Sequence, residues 1–305
     1  MQRFSKILFV NDPAANVKPA LNRALKLAQS NEAELTIASF IEEFPRSLSQ
    51  LQKVFRQHQE EELQSLLQEL PIAGVNVNTR LLSGRPFLSI IREVVQQGHE
   101  LVIKSAEGRG GVSSFLFGST DLHLLRKCPC PLWIIKPSSS EKFSRILAAV
   151  DPDPSEAANA ELNKLILDLS SSLVVQESSQ LHIVHVWSLP YEHTLRGGRA
   201  RLSLAEIDWM VRETRTRHKQ WFDSLLEKYE LQANSVKTHF LKGDPGDVIP
   251  RLARQEKVDL IVMGTIARIG IPGFFIGNTA EKTLVKVDCS VLAVKPKSFS
   301  TPVQI

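Results

Sequence analysis

Three cysteines, an odd and low count, supply no framework of disulfides. No apolar run reaches the ~18–20 residues needed to span a bilayer. Residues 1–10 hold neither a signal-peptide hydrophobic region nor a small-residue cleavage site. A net charge of +4 is small for 305 residues and does not make the dense basic stripe of a nucleic-acid surface; the pI of 8.9 is mild. These absences point to a reduced, cytoplasmic protein that meets neither nucleic acid nor membrane. Also missing are a G-x-x-x-x-G-K-[ST] loop, a G-x-G-x-x-G after the first strand, H-E-x-x-H and G-x-S-x-G. No catalytic constellation stands out.

What is present is ordinary for a soluble protein able to bury a core, with 43% apolar and 23% charged residues and length for about two domains. The organising feature is an internal repeat. Residues 101–137, LVIKSAEGRGGVSSFLFGSTDLHLLRKCPCPLWIIKP, align without a gap on residues 260–296, LIVMGTIARIGIPGFFIGNTAEKTLVKVDCSVLAVKP, at a constant shift of 159. Gly118 falls on Gly277, Cys130 on Cys289, Lys136 on Lys295, and upstream Gly84 falls on Gly243. Asp12 matches Asp151 at a shift of 139, so the second copy carries about twenty extra residues in its first half.

Each copy alternates short apolar runs with helical periodicity, the pattern of a parallel sheet covered by helices. The first copy predicts strands over residues 7–10, 35–41, 75–82, 101–104 and 132–135. Its helices are expected around Leu21–Ala28, then over 51–70, 87–97 and 119–127. The second predicts strands over 146–150, 181–186, 236–241, 260–263 and 291–294. Its helices are expected around Leu162–Leu169, then over 203–229, 248–255 and 278–287. The Pro-Ser-rich stretch 137–141 is the natural boundary, giving domains over 1–138 and 143–298; the polar tail after Pro296 reads as frayed.

This order of elements, an Asp ending the first strand, a glycine-bearing loop after the fourth and a closing V-x-V-K-P-like strand resemble the universal stress protein domain, twice over, as in the tandem, E-type members of that family. The resemblance implies two Rossmann-like α/β domains of the adenine nucleotide alpha hydrolase-like type, each a five-stranded parallel sheet with helices on both faces. It implies an internal pseudo-dimer packed through the two final strands, and leaves open a further homodimer. Nucleotide-binding members carry G-x2-G-x9-G-[ST] after the fourth strand. The second copy offers Gly264, Ala267, Gly277 and Asn278, followed by Thr279; the first offers Ser105, Gly108, Gly118 and Ser119. Neither is intact. Such glycines let backbone approach phosphate oxygens, and the next helix N-terminus offers free N–H groups. Asn278 with Glu281 reads as a capping box there, which would also explain the residues without a ligand. Glu107 lies inside the first copy's loop and repels an anion unless it points away, so the second copy is the better candidate for ATP, with magnesium.

By the same resemblance Asp151 faces the adenosine and the backbone around Val186 lines the base pocket, at the strand ends where ligands bind in open α/β sheets; the alternative is that Asp151 and Pro152 form a turn. For Asp12 the turn reading is favoured. The implied role is a non-catalytic stress-response protein. Slow ATP hydrolysis using Asp151 stays open, as does a module holding another small molecule.

Other features read more plainly. His182 and His185 point to opposite faces of one strand and cannot readily share a metal ion. Cys128 and Cys130 form C-x-C rather than a C-x-x-C redox pair, and with Cys289 read as buried small thiols. The basic run 196–201 is either a lid over an anionic ligand or a solvated loop.

Overall fold

The computed structural model describes residues 4–12, 15–41, 44–70, 74–107, 117–137, 142–155, 157–197, 202–229, 236–265 and 277–304. The first half runs β1 (Lys6–Val10), α1 (Lys18–Asn31), β2 (Glu34–Ile41), α2 (Ser49–Glu69), β3 (Asn76–Ser83), α3 (Pro86–Gln97), β4 (Leu101–Ser105), α4 (Ser119–Lys127) and β5 (Leu132–Ile135). The second runs β6 (Arg145–Ala149), α5 (Ala157–Glu177), β7 (Gln180–Trp187), α6 (Glu192–Arg196), α7 (Leu204–Lys228), β8 (Val236–Lys242), α8 (Pro245–Gln255), β9 (Leu260–Gly264), α9 (Asn278–Lys286) and β10 (Ser290–Val294). Part of the second copy's extra length lies in α5, with 21 residues where α1 has 14, and part in α6 and a longer α7. Sequence periodicity missed α6, which is too short to show a period.

The ten strands among the described residues belong to one sheet, ordered β3-β2-β1-β4-β5-β10-β9-β6-β7-β8. Within each half the strands are parallel; at the centre β5 and β10 pair antiparallel, with Trp133 opposite Leu292. That pairing covers two strand edges that would otherwise present open hydrogen-bonding groups. The two final strands therefore meet, as the resemblance implied.

Strand residues alternate between two cores, as a two-residue period demands. Ile7 and Phe9 pack with α1, α2, α5 and α7 on one face; Leu8 and Val10 pack with α3, α4, α8 and α9 on the other. Both cores continue across the seam. There Arg23 of α1 reaches Glu177 of α5 at 3.1 Å, both buried, with the guanidinium 3.4 Å from the Phe143 ring. Gly84 and Gly243 recur because each adopts a positive φ, 89° and 145°, in the turn before α3 and α8.

The C-terminal tail differs from its reading as frayed. Lys297 N–H donates to Glu161, Val303 packs on the second core, and Arg92 of α3 donates to the Gln304 carbonyl. The Phe299 ring, 4.9 Å from the Lys295 ammonium, adds a further contact. Among the described residues no helix is long and apolar enough to cross a membrane.

Candidate functional site

In each half the chain moves outward from the first strand to the second and third, then returns to its other side for the fourth and fifth. The connections therefore diverge between β6 and β9, and between β1 and β4, the switch points beyond whose strand ends open α/β sheets bind ligands. In the second half the register sets Ala149 beside Met263 and Val184, so Asp151 emerges between Gly264 and the end of β7, where Val186 lies. The Gly277 N–H donates to the Thr265 carbonyl at 3.3 Å, which brings the start of α9 to the same place. Asp151, Val186, Gly264, Gly277, Asn278 and Thr279 thus lie toward the carboxyl ends of β6, β7 and β9; Ala267 lies outside the described residues.

Several details depart from the sequence reading. The N-cap of α9 is Gly277, not Asn278, and has no side-chain cap. Glu281 does not close a capping box: its carboxylate accepts from Arg126 of α4 at 2.9 Å, across the seam. A partner one domain away outcompeted the local one. Gly264 also has a packing reason, since a Cβ there would stand 2.4 Å from Leu162 of α5. Asp151 is held through its backbone by Asn163, a buried side chain that accepts from its N–H at 2.9 Å and donates to its carbonyl at 2.7 Å. An Asn in an otherwise apolar helix stripe was the available signal. Thr265, buried at the loop's entry, has no hydrogen-bond partner for its hydroxyl among the described residues.

The first half is built differently at the same positions. Lys104, Asp121 and Glu107 stand where the second half has Met263, Ala280 and Ile266. Lys104 Nζ, buried, reaches Glu107 at 3.2 Å and makes a short 2.5 Å contact to Asp121. Asp121 also accepts from the N–H groups of Gly118 and Glu107, at 3.1 and 3.3 Å, so the start of α4 carries its own carboxylate cap. Burial works against the Lys104 ammonium, but Asp121 and Glu107 outweigh it and hold its pKa above the ordinary lysine value. Burial in turn lifts Asp121 despite Lys104. Glu107 does not point away. Its carboxylate lies against Gly118, so that a Cβ there would sit 1.4 Å from Oε2. The chain's own acid lies against the start of α4. Ser119 begins α4, the Ser105 hydroxyl donates to the Asn16 carbonyl at 2.8 Å, and Gly108 lies outside the described residues.

The histidines pair up, one pair on each face of β7, as their parity demands. His182 Nδ1 lies 3.2 Å from Nε2 of His239 on β8, and His185 Nε2 lies 2.9 Å from Nδ1 of His218 on α7. Burial first, and the neighbouring ring second, push His182 and His185 each down to about 4. Among the described residues no three His, Cys, Asp or Glu side chains are grouped to hold a metal. Of the basic run, Arg196 is committed to Glu192 and Asp208, at 3.0 and 2.7 Å; residues 198–201 lie outside the described residues.

The model of the universal stress protein family matches residues 3–136 and again 142–295. The chain belongs to the universal stress protein family. It is a tandem member: it is 31% identical over 318 residues to universal stress protein E of Escherichia coli K12, covering 100% of this chain and 98% of that one. It is 25% identical to the universal stress protein E homolog of Haemophilus influenzae, over 96% and 98% of the two chains. In structure it is similar to a crystallised Pseudomonas aeruginosa UCBPP-PA14 protein assigned to the universal stress proteins, with a TM-score of 0.74, 25% identity, and 96% and 94% of the chains covered.

Proposed function

We propose that the second universal stress protein domain binds ATP or a related adenine nucleotide, with magnesium arriving on the phosphates, and that the first does not. The phosphates lie at the start of α9 over Gly277, Asn278 and Thr279; the adenosine lies over Asp151 and the backbone near Val186. Binding sets the conformation or partners of a non-catalytic stress-response protein.

The contrast between the two loops carries this reading. In the second domain the helix N-terminus lacks a side-chain cap, Asn278 and Thr279 are exposed, and a buried Thr265 hydroxyl lacks a partner among the described residues. An N-terminus in that condition offers unpaired N–H groups and a partial positive charge to an anion. In the first domain a carboxylate, that of Asp121, already sits on the Gly118 N–H, where the second domain has only the Thr265 carbonyl on Gly277, and the Glu107 carboxylate covers the glycine.

The test is calorimetric titration of the whole chain with ATP and magnesium, beside a Gly277→Val variant whose folding is checked by circular dichroism. One site, lost in the folded variant, is the expected result; no heat from the wild-type chain overturns the reading. Magnesium-dependent phosphate release abolished by Asp151→Ala would replace it with slow ATP hydrolysis.

A further inference from the structure

The structure puts Cys128 and Cys130 in a relation that C-x-C spacing alone did not announce. Their sulfurs are 3.6 Å apart. Cys128 closes the last turn of α4, its N–H donating to the Leu124 carbonyl at 2.8 Å, and it precedes Pro129, which restricts it to the extended conformation found, φ −66° and ψ 128°. Pro129 fixes its own φ, and Pro131 restricts Cys130 in the same way. A stiff Cys-Pro-Cys-Pro turn thus aims two thiols at one another.

A cation from the other domain lies beside them. Lys295, at the end of β10, is 6% exposed and donates its ammonium to the Cys128 carbonyl at 2.8 Å, with the Phe299 ring 4.9 Å away. No carboxylate pairs with it among the described residues, and burial, opposed by Cys128 and Cys130, lowers its pKa to about 8. The thiols respond unequally. The Cys130 hydrogen bond, with help from Lys295 against burial, holds Cys128 below the ordinary thiol value; Cys130 is driven well above it. Cys289 is the internal comparison. It stands at the repeat position of Cys130, but Val287 replaces the second thiol, and burial pushes it up to about 12.

We propose that Cys128 and Cys130 form a redox site that hydrogen peroxide converts to a disulfide at the seam between the two domains. The Cys128 thiolate attacks one peroxide oxygen: an S–O bond forms, the O–O bond breaks, and the departing hydroxide takes a proton to leave as water. Cys130 sulfur then attacks Cys128 sulfur: the S–S bond forms, the S–O bond breaks, and the hydroxyl departs with the Cys130 proton as a second water. Two thiols give up two electrons and one peroxide accepts them. Cys130, half-buried where Cys128 is fully buried, is the solvent side by which the oxidant enters. Closure to an S–S bond of about 2.05 Å draws Cys128 toward Cys130 and with it the carbonyl that Lys295 holds. The redox state of the first domain is thereby felt by the last strand of the second.

The test is mass spectrometry of the whole chain, treated with hydrogen peroxide and then alkylated and digested with trypsin. The peptide beginning at Cys128 is expected to lose two hydrogens and resist alkylation, to recover on treatment with dithiothreitol, and to do so while the Cys289 peptide stays alkylated. Chain unfolded in denaturant and oxidised in the same way shows that the turn can close at all. A native chain that keeps both thiols, or passes straight to sulfinic acid, while the unfolded chain forms the disulfide, overturns the proposal. Cys130→Ser is expected to halt the native protein at a Cys128 sulfenic acid trapped by dimedone; no adduct at Cys128 counts against the order of steps. Lys295→Met, checked for folding, is expected to slow closure at pH 7 about threefold for each unit by which the Cys128 pKa rises, since the loss of thiolate is half offset by its greater nucleophilicity; an unchanged rate removes Lys295 from the site.

Discussion

The Glu107 carboxylate rests on Gly118 so closely that no side chain could be placed there without moving it. Gly118→Ala is therefore expected to destabilise the chain by about 1–3 kcal/mol, the usual penalty for overpacking. Glu107→Ala should recover part of that loss when combined with it, since it removes the carboxylate that stands closest and leaves the Glu107 Cβ, 2.7 Å away. Urea unfolding of the two single variants and the double measures the coupling. Additive losses would mean that Gly118 is required for another reason.

The buried Lys104–Asp121 pair stands where the second domain has Met263 and Ala280. Lys104→Met leaves Asp121 buried without its partner, at a cost of about 3–5 kcal/mol; Asp121→Ala leaves Lys104 with Glu107 alone and should cost less. The double variant repeats the second domain's solution and should be far less damaging than either single change. Chemical denaturation decides it; a double variant as unstable as the sum of the singles would refute the reading.

Acid should loosen the second domain through its histidine pairs. His182 and His185 each sit near 4 when folded, against about 6.5 in an unfolded chain. Their neutral forms are favoured by the fold, so the unfolded state binds more protons below that value. Stability is therefore complete above pH ~6.5 and falls as pH drops toward 4, by roughly 1 kcal/mol per histidine per pH unit within that window. His218 and Asp153 face His185; His239, Glu256, Lys237 and Arg145 face His182. Thermal unfolding between pH 7.5 and pH 5 should show the loss, with a shallower slope in His185→Gln. An unchanged slope in that variant would clear His185 of the effect.

Asn278→Asp separates helix stability from ligand binding. A carboxylate in the first turn of α9 should stabilise the empty protein by about 0.3–1 kcal/mol. The same charge should weaken nucleotide, since like charges about 4 Å apart repel by at least ~1 kcal/mol, or several-fold in affinity. Calorimetry beside thermal unfolding reads both. Tighter or unchanged nucleotide binding would move the phosphates away from this helix.

Much of the fold was readable before any coordinates, because its signals are local. Residues 7–10, 132–135 and 291–294 read as strands from apolar runs a few residues long, and α4 from its own periodicity, with bounds matching at 119 and 127. The shift of 159 identified the repeat and so which residues answer one another. The candidate site was legible in part, since Asp151 follows β6 and Gly277 precedes α9, elements whose order was already known.

What only the tertiary structure decided are the partners that come from far along the chain. Glu281 turned to Arg126 instead of capping its own helix, Asn163 took the backbone of Asp151, and His185 found His218 on a helix 33 residues away. Glu107 carried the same charge in either reading, and its position over Gly118, beside Lys104, settled what that charge does. The Cys128–Cys130 contact is two residues long in sequence, yet its meaning depends on Lys295, which arrives only when β10 pairs with β5. Periodicity and repeat belong to neighbouring residues and survive in the sequence; the choice among competing charged and polar partners depends on distance and burial, which exist only once the chain has folded.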